Sequence, residues 1–390
     1  MLSLQDTRNA SAVRLMEENR DYLTTQIITY IGNKRLLLGT IQKEIEIIKR
    51  RLGKRKLVCA DLFSGSGIVA RMLKQHASVL IANDLETYSF MLNRCYLSNR
   101  KDFQAEKYFE YRTAIERQFF EAKVPGIICG YYAPKDTDAI QEGERAFYTR
   151  ENAERIDTYR MLIDRIVGRD PYRIFFIAPL LTEASVHVNT SGVFKGFYKD
   201  KRTGIGCFGG TGKNALSRIL GQVELPVPVF SSFSSRTELY QEDTVQLSQK
   251  LRKIDVAYLD PPYNQHPYGS NYFMLNVIAE NALPGSQLST VSGIPSGWNR
   301  SSFNRRKEAL SSLERAVSFL DAKYVIISYN SEGFIQLDEM QSMLKKYGKV
   351  KKVETAYNTF RGSRNLSARN IHVSEYLFVL EKRQYHEQKK

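Results

Sequence analysis

The chain has 390 residues, of which 42% are hydrophobic and 25% charged, an ordinary globular composition that suffices for one large domain or two moderate ones. Its formal net charge of +15 favours a polyanionic partner, because contacts with phosphates release counterions, although a basic protein without such a partner remains the alternative. The four cysteines and five histidines are scattered and form no CxxC pattern, which excludes a recognisable zinc site or disulfide framework.

The sequence also predicts where the protein works. Its first residues lack the apolar region of a signal peptide. The longest apolar run, near residues 174–181, is too short to cross a bilayer. We therefore expect a reducing, cytoplasmic location, with no membrane partner and no bound metal.

The first candidate ligand loop lies between two predicted helices, over residues 12–23 and 36–52. Residues 30–34 read YIGNK and combine an aromatic ring, a permissive glycine and a lysine just before the second helix. This pattern alone is common by chance, so it gains meaning only from its neighbours.

A sharper signal follows at residues 57–67. Residues 57–60 predict a buried strand, and the glycine-rich loop DLFSGSG leads from it into a helix, as in a nucleotide-binding βα unit. Asp61 opens this loop and would repel a pyrophosphate but attract an ammonium group. S-adenosylmethionine has an amino-acid ammonium and no phosphate, so the loop fits that cofactor better than NAD.

A second strand over residues 78–82 ends at another acidic pair. Asp84 lies about twenty positions after the glycines, where a Rossmann-type site places a carboxylate on ribose hydroxyls, and Glu86 is the next candidate. A helix is expected over residues 90–99.

The regular alternation of strands and helices stops between residues 101 and 230. Residues 139–166 are predicted to be helical, whereas the apolar residues 173–186 fit either a helix or a strand. Residues 195–218 contain six Lys/Arg and one acidic residue among glycines and aromatics, which suits a loop that meets phosphates. A solvated basic loop is the alternative. The predicted nucleic-acid contacts in this loop are Lys195, Lys199, Lys201, Arg202 and Lys213.

The strongest chemical signal follows the short apolar run at residues 254–257, which predicts a buried parallel strand. Asp260 comes next, then two prolines that donate no N–H, then Tyr263. Ligands of open α/β sheets bind at this end of the strands. An exocyclic amine on a flat ring would be held by Asp260 and the Pro261 carbonyl and stacked on Tyr263. The plain alternative is a proline-terminated strand with a capping aspartate.

The remaining elements close the predicted sheet. Asp243 precedes a short helix and is a candidate contact for the cofactor's adenine. Strand 323–330 and the antiparallel pair 350–357 and 372–380 follow. Helices are expected over residues 271–282, 302–320 and 334–345, and the last loop carries the predicted nucleic-acid contacts Arg361 and Arg364.

Three motifs, in this order, resemble those of the Dam-like DNA adenine-N6 methyltransferases. Residues 30–34 resemble the group's aromatic-x-Gly-Gly-Lys motif, with Asn33 where the group often has glycine. Residues 61–67 resemble its cofactor loop, and Asp260, Pro261, Pro262 and Tyr263 match its catalytic tetrapeptide. Residues 189–198 also resemble a DNA-facing segment of the group, which implies that Asn189 is a further nucleic-acid contact. The resemblance leaves residues 101–185 uncovered.

The resemblance implies a fold and a set of cofactor contacts. The fold is α/β, a Rossmann-like S-adenosylmethionine-dependent methyltransferase fold with a mostly parallel seven-stranded sheet, a reversed last strand and an inserted DNA-recognition region. The implied division is a cofactor-binding part (1–104), an inserted target-recognition region (105–235) and a catalytic part (236–390). The implied cofactor contacts are Tyr30, Lys34, Asp61, Phe63, Ser64, Gly65, Asp84 and Asp260.

The implied activity is methyl transfer from S-adenosylmethionine to adenine N6 in a short duplex DNA sequence, with the adenine flipped out of the helix. A restriction endonuclease acting on the same site is the further partner to expect. Two alternatives stay open on the residues alone. The first is an N-methyltransferase for RNA, a protein amide or a small amine, because the tetrapeptide selects an amine and not a polymer. The second is a non-catalytic nucleic-acid-binding protein on the same scaffold.

Overall fold

The computed structural model describes residues 17–283, 285, 287–358 and 372–383. The predicted contacts Arg361 and Arg364 therefore lie outside the described residues, as do residues 12–16 of the predicted helix 12–23. No helix in these described ranges combines the length and the apolar character needed to cross a membrane.

A seven-stranded sheet forms the centre of the molecule, in the order β3-β2-β1-β4-β5-β7-β6. Neighbouring pairs from β3 to β5 are parallel, and β7 runs antiparallel to both β5 and β6. The predicted mostly parallel sheet with a reversed last strand is thus confirmed. The strands are β1 Leu57–Asp61, β2 Ala77–Asn83, β3 Arg236–Tyr240, β4 Ile254–Leu259, β5 Ala322–Asn330, β6 Gly348–Asn358 and β7 His372–Lys382.

Helices cover both faces of the sheet. Apolar residues of α2 and α3 pack on one face, and those of α10, α13 and α14 pack on the other. This double burial explains why the central strands read as continuous apolar runs. The helices are α1 Arg20–Thr24, α2 Leu38–Leu52, α3 Ile68–Lys74, α4 Thr87–Tyr96, α5 Ala105–Phe119, α6 Ile127–Tyr131, α7 Arg150–Leu162, α8 Ile174–Val186, α9 Leu216–Leu220, α10 Thr244–Ser248, α11 Tyr268–Asn271, α12 Phe273–Glu280, α13 Ala309–Phe319 and α14 Leu337–Lys345.

The register of the parallel strands brings the predicted acidic residues to one edge. Asp61, the last residue of β1, lies beside Ala82 of β2 and Tyr258 of β4. The chain then leaves β2 towards Asp84 and leaves β4 towards Asp260. Carboxyl ends of adjacent parallel strands meet at one edge, so the three carboxylates that were predicted separately lie around one site.

The long segment between β2 and β3 is a block of helices with its own core. The ambiguous residues 173–186 form helix α8, and nearly all of that helix is buried. The predicted helix over residues 139–166 is wrong in its first third, because Gly143 has a φ of +84° and Thr149 caps α7, accepting a hydrogen bond from the Asn152 N–H at 3.1 Å.

The helical block also holds the segment that follows the catalytic tetrapeptide. Helix α12 packs against α4 and α8, and its apolar residues belong to the same hydrophobic core as those of the helical block. The buried guanidinium of Arg160 on α7 donates from Nε to the Ile278 carbonyl at 2.7 Å. The block therefore positions the chain just beyond the tetrapeptide.

Candidate active site

A cleft of about 640 Å³, counted with its opening to solvent, lies at the carboxyl ends of the parallel strands. Loops following β1, β2, β3 and β4 contribute to it, together with residues 299–304 before α13. Six of the predicted site residues line this cleft: Tyr30, Phe63, Asp84, Asp243, Asp260 and Pro262.

Asp61, the last residue of β1, is not among the residues that line this cleft, and it has an unusual environment. The residue is 1% exposed, and neither carboxylate oxygen has a hydrogen-bond partner among the described residues. Burial, assisted by the nearby charge of Asp260, raises the pKa of Asp61 to about 8, and the neighbouring backbone N–H groups of Phe63 and Ala70 offset only part of this rise. A buried carboxylate without a partner is costly, so this site favours a cationic ligand group such as the ammonium of S-adenosylmethionine.

The two glycine positions of the loop leave no room for a side chain. Gly65 has a φ of +50°, and a Cβ atom added there would lie 2.7 Å from the Tyr30 ring. Gly67 has a φ of +77°, and its added Cβ would lie 2.7 Å from the Asn93 Oδ1. The predicted cofactor residue Ser64 donates its hydroxyl to the Asp61 carbonyl at 3.0 Å, so it stabilises the loop from within.

Gly65→Ala is expected to weaken cofactor binding by at least about tenfold, because the new methyl group would displace Tyr30 and the positive φ would be strained. Calorimetric titration with S-adenosylmethionine measures this change. Gly39→Ala in α2 is the matched control, since an added Cβ there meets no atom within 4 Å. Equal affinities in both variants would contradict the proposed close approach.

Asp84 and Glu86 support the next loop. The Asp84 carboxylate accepts from the Gly65 N–H at 2.7 Å and from the Glu86 N–H at 3.0 Å. Burial raises the pKa of Asp84 and raises that of Glu86 to about 7. The Glu86 carboxylate accepts from the Asn276 amide at 2.6 Å and from the Asn299 amide at 3.3 Å. The ribose contact of Asp84 stays a prediction, and its bracing of the glycine loop is an additional role.

Tyr30 belongs to a cluster of three nearly parallel tyrosine rings. Its ring centroid lies 5.0 Å from that of Tyr268 and 4.9 Å from that of Tyr272, with interplanar angles of 14° and 22°, and those two centroids are 6.0 Å apart. The Ile31 N–H donates to the Tyr272 hydroxyl at 2.7 Å, and the Tyr268 hydroxyl donates to the Ile31 carbonyl at 3.3 Å. The first motif is thereby fixed against the segment that follows the tetrapeptide.

Lys34 lies behind the cleft and contacts the catalytic candidate directly. Its Nζ is 3.1 Å from Asp260 Oδ1 and 3.8 Å from Glu375 Oε1, and it also donates to the Gly32 carbonyl at 3.1 Å. Lys34 is 4% exposed, and burial alone would lower its pKa, but the two carboxylates outweigh burial and raise it. The predicted cofactor contact of Lys34 stays a prediction, whereas its pairing with Asp260 was not foreseen.

Asp260 is poised to accept hydrogen bonds near neutral pH. Burial raises its pKa to about 6, an effect that Lys34 opposes and Glu375 reinforces. The salt bridge with Lys34 is made through Oδ1, so Oδ2 is the oxygen on which an amino group would donate. Above pH 6 this carboxyl is mostly ionised and acts only as an acceptor.

The rest of the tetrapeptide is anchored by its backbone and ring. The Phe334 N–H donates to the Tyr263 carbonyl at 3.0 Å. The Tyr263 ring meets the Tyr329 ring edge to face at 6.2 Å, and the Lys34 ammonium lies 5.9 Å from its centroid. Pro261 is buried, whereas Pro262 lines the cleft.

One wall of the cleft was missing from the sequence prediction. Asn299, Ser301, Phe303 and Asn304 lie in the segment before α13, which begins at Ala309, so the predicted helix 302–320 is wrong in its first residues. Phe303 packs edge to face on the predicted cofactor residue Phe63, with ring centroids 5.0 Å apart. The segment carries no spaced motif, so composition alone signals a loop and not a ligand wall.

Asp243 lines the opposite wall and caps a helix. Its Oδ1 accepts from the Val245 N–H at 3.0 Å and the Gln246 N–H at 3.1 Å. These bonds orient the carboxylate at the end of β3. Its predicted contact with the cofactor's adenine stays a prediction.

The structure corrects the prediction for Asn189. The side chain is completely buried, donates to the Ala146 and Cys207 carbonyls and accepts from the Gly209 N–H. With its amide bonded in this way, Asn189 braces the basic loop from inside and does not face DNA.

The basic residues of the same loop point outward. Lys201, Arg202 and Lys213 are exposed, and Lys199 lies over the Phe197 ring at 5.2 Å. Lys195 approaches the end of the tetrapeptide loop, with its Nζ 3.3 Å from His266 Nδ1. The loop thus runs beside the mouth of the site. No group of three or more His, Cys, Asp or Glu side chains within the described ranges is arranged to hold a metal ion.

Comparison with known proteins connects this geometry to a family. Residues 30–343 match the D12 class N6 adenine-specific DNA methyltransferase family, and this match includes the block at 101–185 that the motifs left uncovered. The chain is 30% identical to the type II methyltransferase M.NlaIII of Neisseria lactamica over 91% of this chain and 99% of the relative.

Two further relatives have the same kind of name. The type II methyltransferase M.CviAII of Paramecium bursaria Chlorella virus 1 is 32% identical, over 90% of this chain and 98% of that protein. The type II methyltransferase M.FokI of Planomicrobium okeanokoites is 27% identical, over 90% of this chain and 52% of that protein. With its strand order, its glycine loop and its Asp-Pro-Pro-Tyr segment, the chain belongs to the D12 class N6 adenine-specific DNA methyltransferase family.

Proposed function

We propose that this protein methylates the N6 atom of an adenine within one short duplex DNA sequence, as the modification enzyme of a restriction-modification system. The observation that carries the proposal is the pair of carboxylates at the ends of β1 and β4, one buried and one partly exposed in the cleft. Asp61 has no hydrogen-bond partner among the described residues and suits an ammonium, whereas Asp260 is held by Lys34 and suits an amine.

The substrate half of the site follows from the chemistry of adenine. The N6 lone pair is delocalised into the ring, and a stacked base is unreachable, so the adenine must leave the duplex at a cost of a few kcal/mol. Tyr263 would stack on the flipped base. Asp260 Oδ2 and the Pro261 carbonyl would accept the two amino hydrogens and draw N6 towards a tetrahedral geometry, which frees the lone pair.

The cofactor half of the site is formed by residues that the structure brings together. When bound, S-adenosylmethionine supplies an electrophilic methyl group on its sulfonium. Asp61 would hold the ammonium, Asp84 the ribose hydroxyls and Asp243 the adenine, while Gly65 would allow close approach of the backbone. Asp260 would accept the proton that N6 releases. Fixing these groups in one geometry supplies most of the rate enhancement.

The inserted residues 105–235 form the target-recognition region in this proposal. A helical block with its own core and an outward-facing basic loop beside the site support this division of the chain, with residues 1–104 and 236–390 as the catalytic domain. Methylation of cellular DNA would require the enzyme to work in the cytoplasm. The names of the type II relatives support a cognate endonuclease that acts on the same site.

Replacing Lys201, Arg202 and Lys213 by glutamine is expected to weaken DNA binding by at least about tenfold near 0.15 M salt, because phosphate contacts dominate affinity. The slope of log affinity against log salt should fall by about 2.7, since each phosphate contact contributes about 0.9. Fluorescence anisotropy with labelled duplex over a salt series measures both quantities.

The matched control replaces three exposed lysines elsewhere, Lys43, Lys345 and Lys349, by glutamine. These positions lie on α2, on α14 and at the start of β6, away from the basic loop. If the control lowered the salt slope as much as the loop variant, net charge alone would explain the effect and the loop would not be the interface.

The proposed sequence specificity has its own test. Genomic DNA lacking N6-methyladenine is incubated with the protein and S-adenosylmethionine, and the modified positions are mapped by sequencing. Modification confined to one short sequence is expected. Modification spread over adenines without a common sequence would contradict a site-specific modification enzyme.

A further inference from the structure

Glu375 is a buried carboxylate next to the proposed catalytic group that the mechanism above does not use. It lies on the reversed strand β7, directly opposite Asn330 of β5, and is 4% exposed. The Asn330 amide donates to its Oε1 at 3.3 Å, whereas Oε2 has no hydrogen-bond partner within the described ranges.

Glu375 and Asp260 share a single cation. The Lys34 ammonium lies 3.1 Å from Asp260 and 3.8 Å from Glu375; Lys34 and Glu375 are each 4% exposed, whereas Asp260 is 19% exposed towards the cleft. With Lys34 charged and both carboxyls ionised, the group carries one net negative charge. Asp260 is therefore not neutralised by a lysine of its own.

A purely structural role accounts poorly for this carboxylate. A buried charge with an unsatisfied oxygen is costly, and glutamine of the same shape would still accept the bond from Asn330. What glutamine would not supply is negative charge beside Lys34. Retaining the charge at this cost indicates that the charge itself acts on the site.

We propose that Glu375 is a positioning residue of methyl transfer, which holds Lys34 between two carboxylates so that Asp260 stays a strong acceptor for the adenine amino group. This inference rests on the proposed function. In the reaction, the N6 lone pair forms the bond to the methyl carbon, and the carbon–sulfur electron pair leaves with sulfur. N6 then loses a proton to Asp260, while the N–H electrons stay on nitrogen.

The electrostatic surroundings of Asp260 agree with this role. Burial is the largest cause that raises its pKa, Lys34 on the first motif lowers it, and Glu375 on β7 raises it. Among the described residues, the other ionisable groups that face this cluster are Asp61 on β1 and the hydroxyls of three tyrosines, Tyr258 on β4, Tyr263 of the tetrapeptide and Tyr268 on α11. Without the charge of Glu375, the Lys34 ammonium would have Asp260 as its only carboxylate partner within this cluster. The pKa of Asp260 would therefore fall.

The first experiment titrates Asp260 in the free protein by its carboxyl ¹³C chemical shift. In Glu375→Gln the midpoint is expected to move by about one pH unit to lower pH, because one nearby like charge is lost. Glu375→Asp keeps the charge and is expected to stay close to wild type. Glu354→Gln, at an exposed position on the neighbouring strand β6, is the matched control and should leave the midpoint unchanged.

The second experiment measures kcat against pH with saturating duplex DNA and S-adenosylmethionine. In Glu375→Gln the acid limb should shift in the same direction, and kcat on the plateau should fall about tenfold because a weaker base accepts the proton less well. Two results would overturn the inference. One is a Glu375→Gln variant whose carboxyl titration midpoint and acid limb of kcat against pH both match the wild type. The other is an equal loss of activity in Glu375→Gln and Glu375→Asp with no shift of the acid limb in either variant. The carboxyl titration decides it even if the wild-type protein modifies a different substrate.

Discussion

Asp260→Ala is expected to lower methyl transfer to unmethylated duplex DNA by about 10³-fold, while the protein stays folded. Asp260 supplies the acceptor for the amino hydrogens and for the released proton, and loss of such a group costs about 10²–10⁴ in rate. The fold should survive because Lys34 retains Glu375 at 3.8 Å and the Gly32 carbonyl at 3.1 Å.

Single-turnover methyl transfer with saturating cofactor measures this effect, and thermal unfolding checks the fold. Asp260→Asn is the companion variant, since its amide oxygen can accept one amino hydrogen but takes up no proton. Activity within tenfold of wild type in Asp260→Ala would remove this residue from the proposed mechanism.

Asp61→Asn is expected to have two effects of opposite sign. Affinity for S-adenosylmethionine should fall by about 100-fold or more, because the ammonium loses its charged partner in a buried site. The melting temperature without cofactor should rise, because the variant no longer buries a carboxylate without a partner.

The pH dependence of both effects follows from the raised pKa of Asp61, about 8. The folded protein holds this proton more tightly than the unfolded chain, so the residue lowers stability progressively as pH rises from about 4 to 8. The gain in melting temperature in Asp61→Asn should therefore be largest at pH 8 and shrink towards pH 4. Wild-type cofactor affinity should rise as pH approaches 8, because the ammonium binds the deprotonated form.

Asp255→Asn is the control, and it is expected to change the melting temperature in the opposite direction. Asp255 is also a buried strand aspartate, but it is paired with Lys54 at 2.8 Å and Lys323 at 3.2 Å, at the amino end of β4. Burial opposes ionisation of Asp255, but these partners outweigh it and lower its pKa. The Asn variant should lose stability at neutral pH and keep cofactor affinity. Parallel behaviour of the two variants would contradict the assignment of Asp61.

The sequence alone predicted those parts of the site that depend on local sequence patterns. Asp61, Asp84 and Asp260 each follow a short apolar strand, and parallel pairing brings such strand ends to one edge. Their meeting around one cleft could therefore be inferred before any tertiary structure was known. Gly65 and Gly67 were equally readable, because a tight turn before a helix needs positive φ.

The parts that escaped prediction depend on long-range contacts. Glu375 sits in a strand without a motif and reaches Lys34 only because β7 inserts between β5 and β6. The stack of Tyr30 on two later tyrosines has the same origin. Asn189 was misread because an amide among glycines and aromatics suits a groove or a buried brace equally well, and only its distant carbonyl partners decide.

Net charge likewise does not locate an interface. Six of the eight residues from 49 to 56 are basic, yet they precede β1 and lie at the edge of the sheet opposite Asp260. The surplus of +15 thus includes charge far from the catalytic edge, whereas the loop beside His266 places basic side chains near the site. Composition predicted the class of partner but not the surface that it contacts.

The most direct test of the central claim is methyl transfer from labelled S-adenosylmethionine to unmethylated duplex DNA, followed by nucleoside analysis. The carboxylates of Asp61 and Asp260, with the Asp-Pro-Pro-Tyr segment, predict that the label appears in N6-methyladenine. Label in N4-methylcytosine, or no label in DNA from a protein that binds the cofactor, would contradict the proposed reaction.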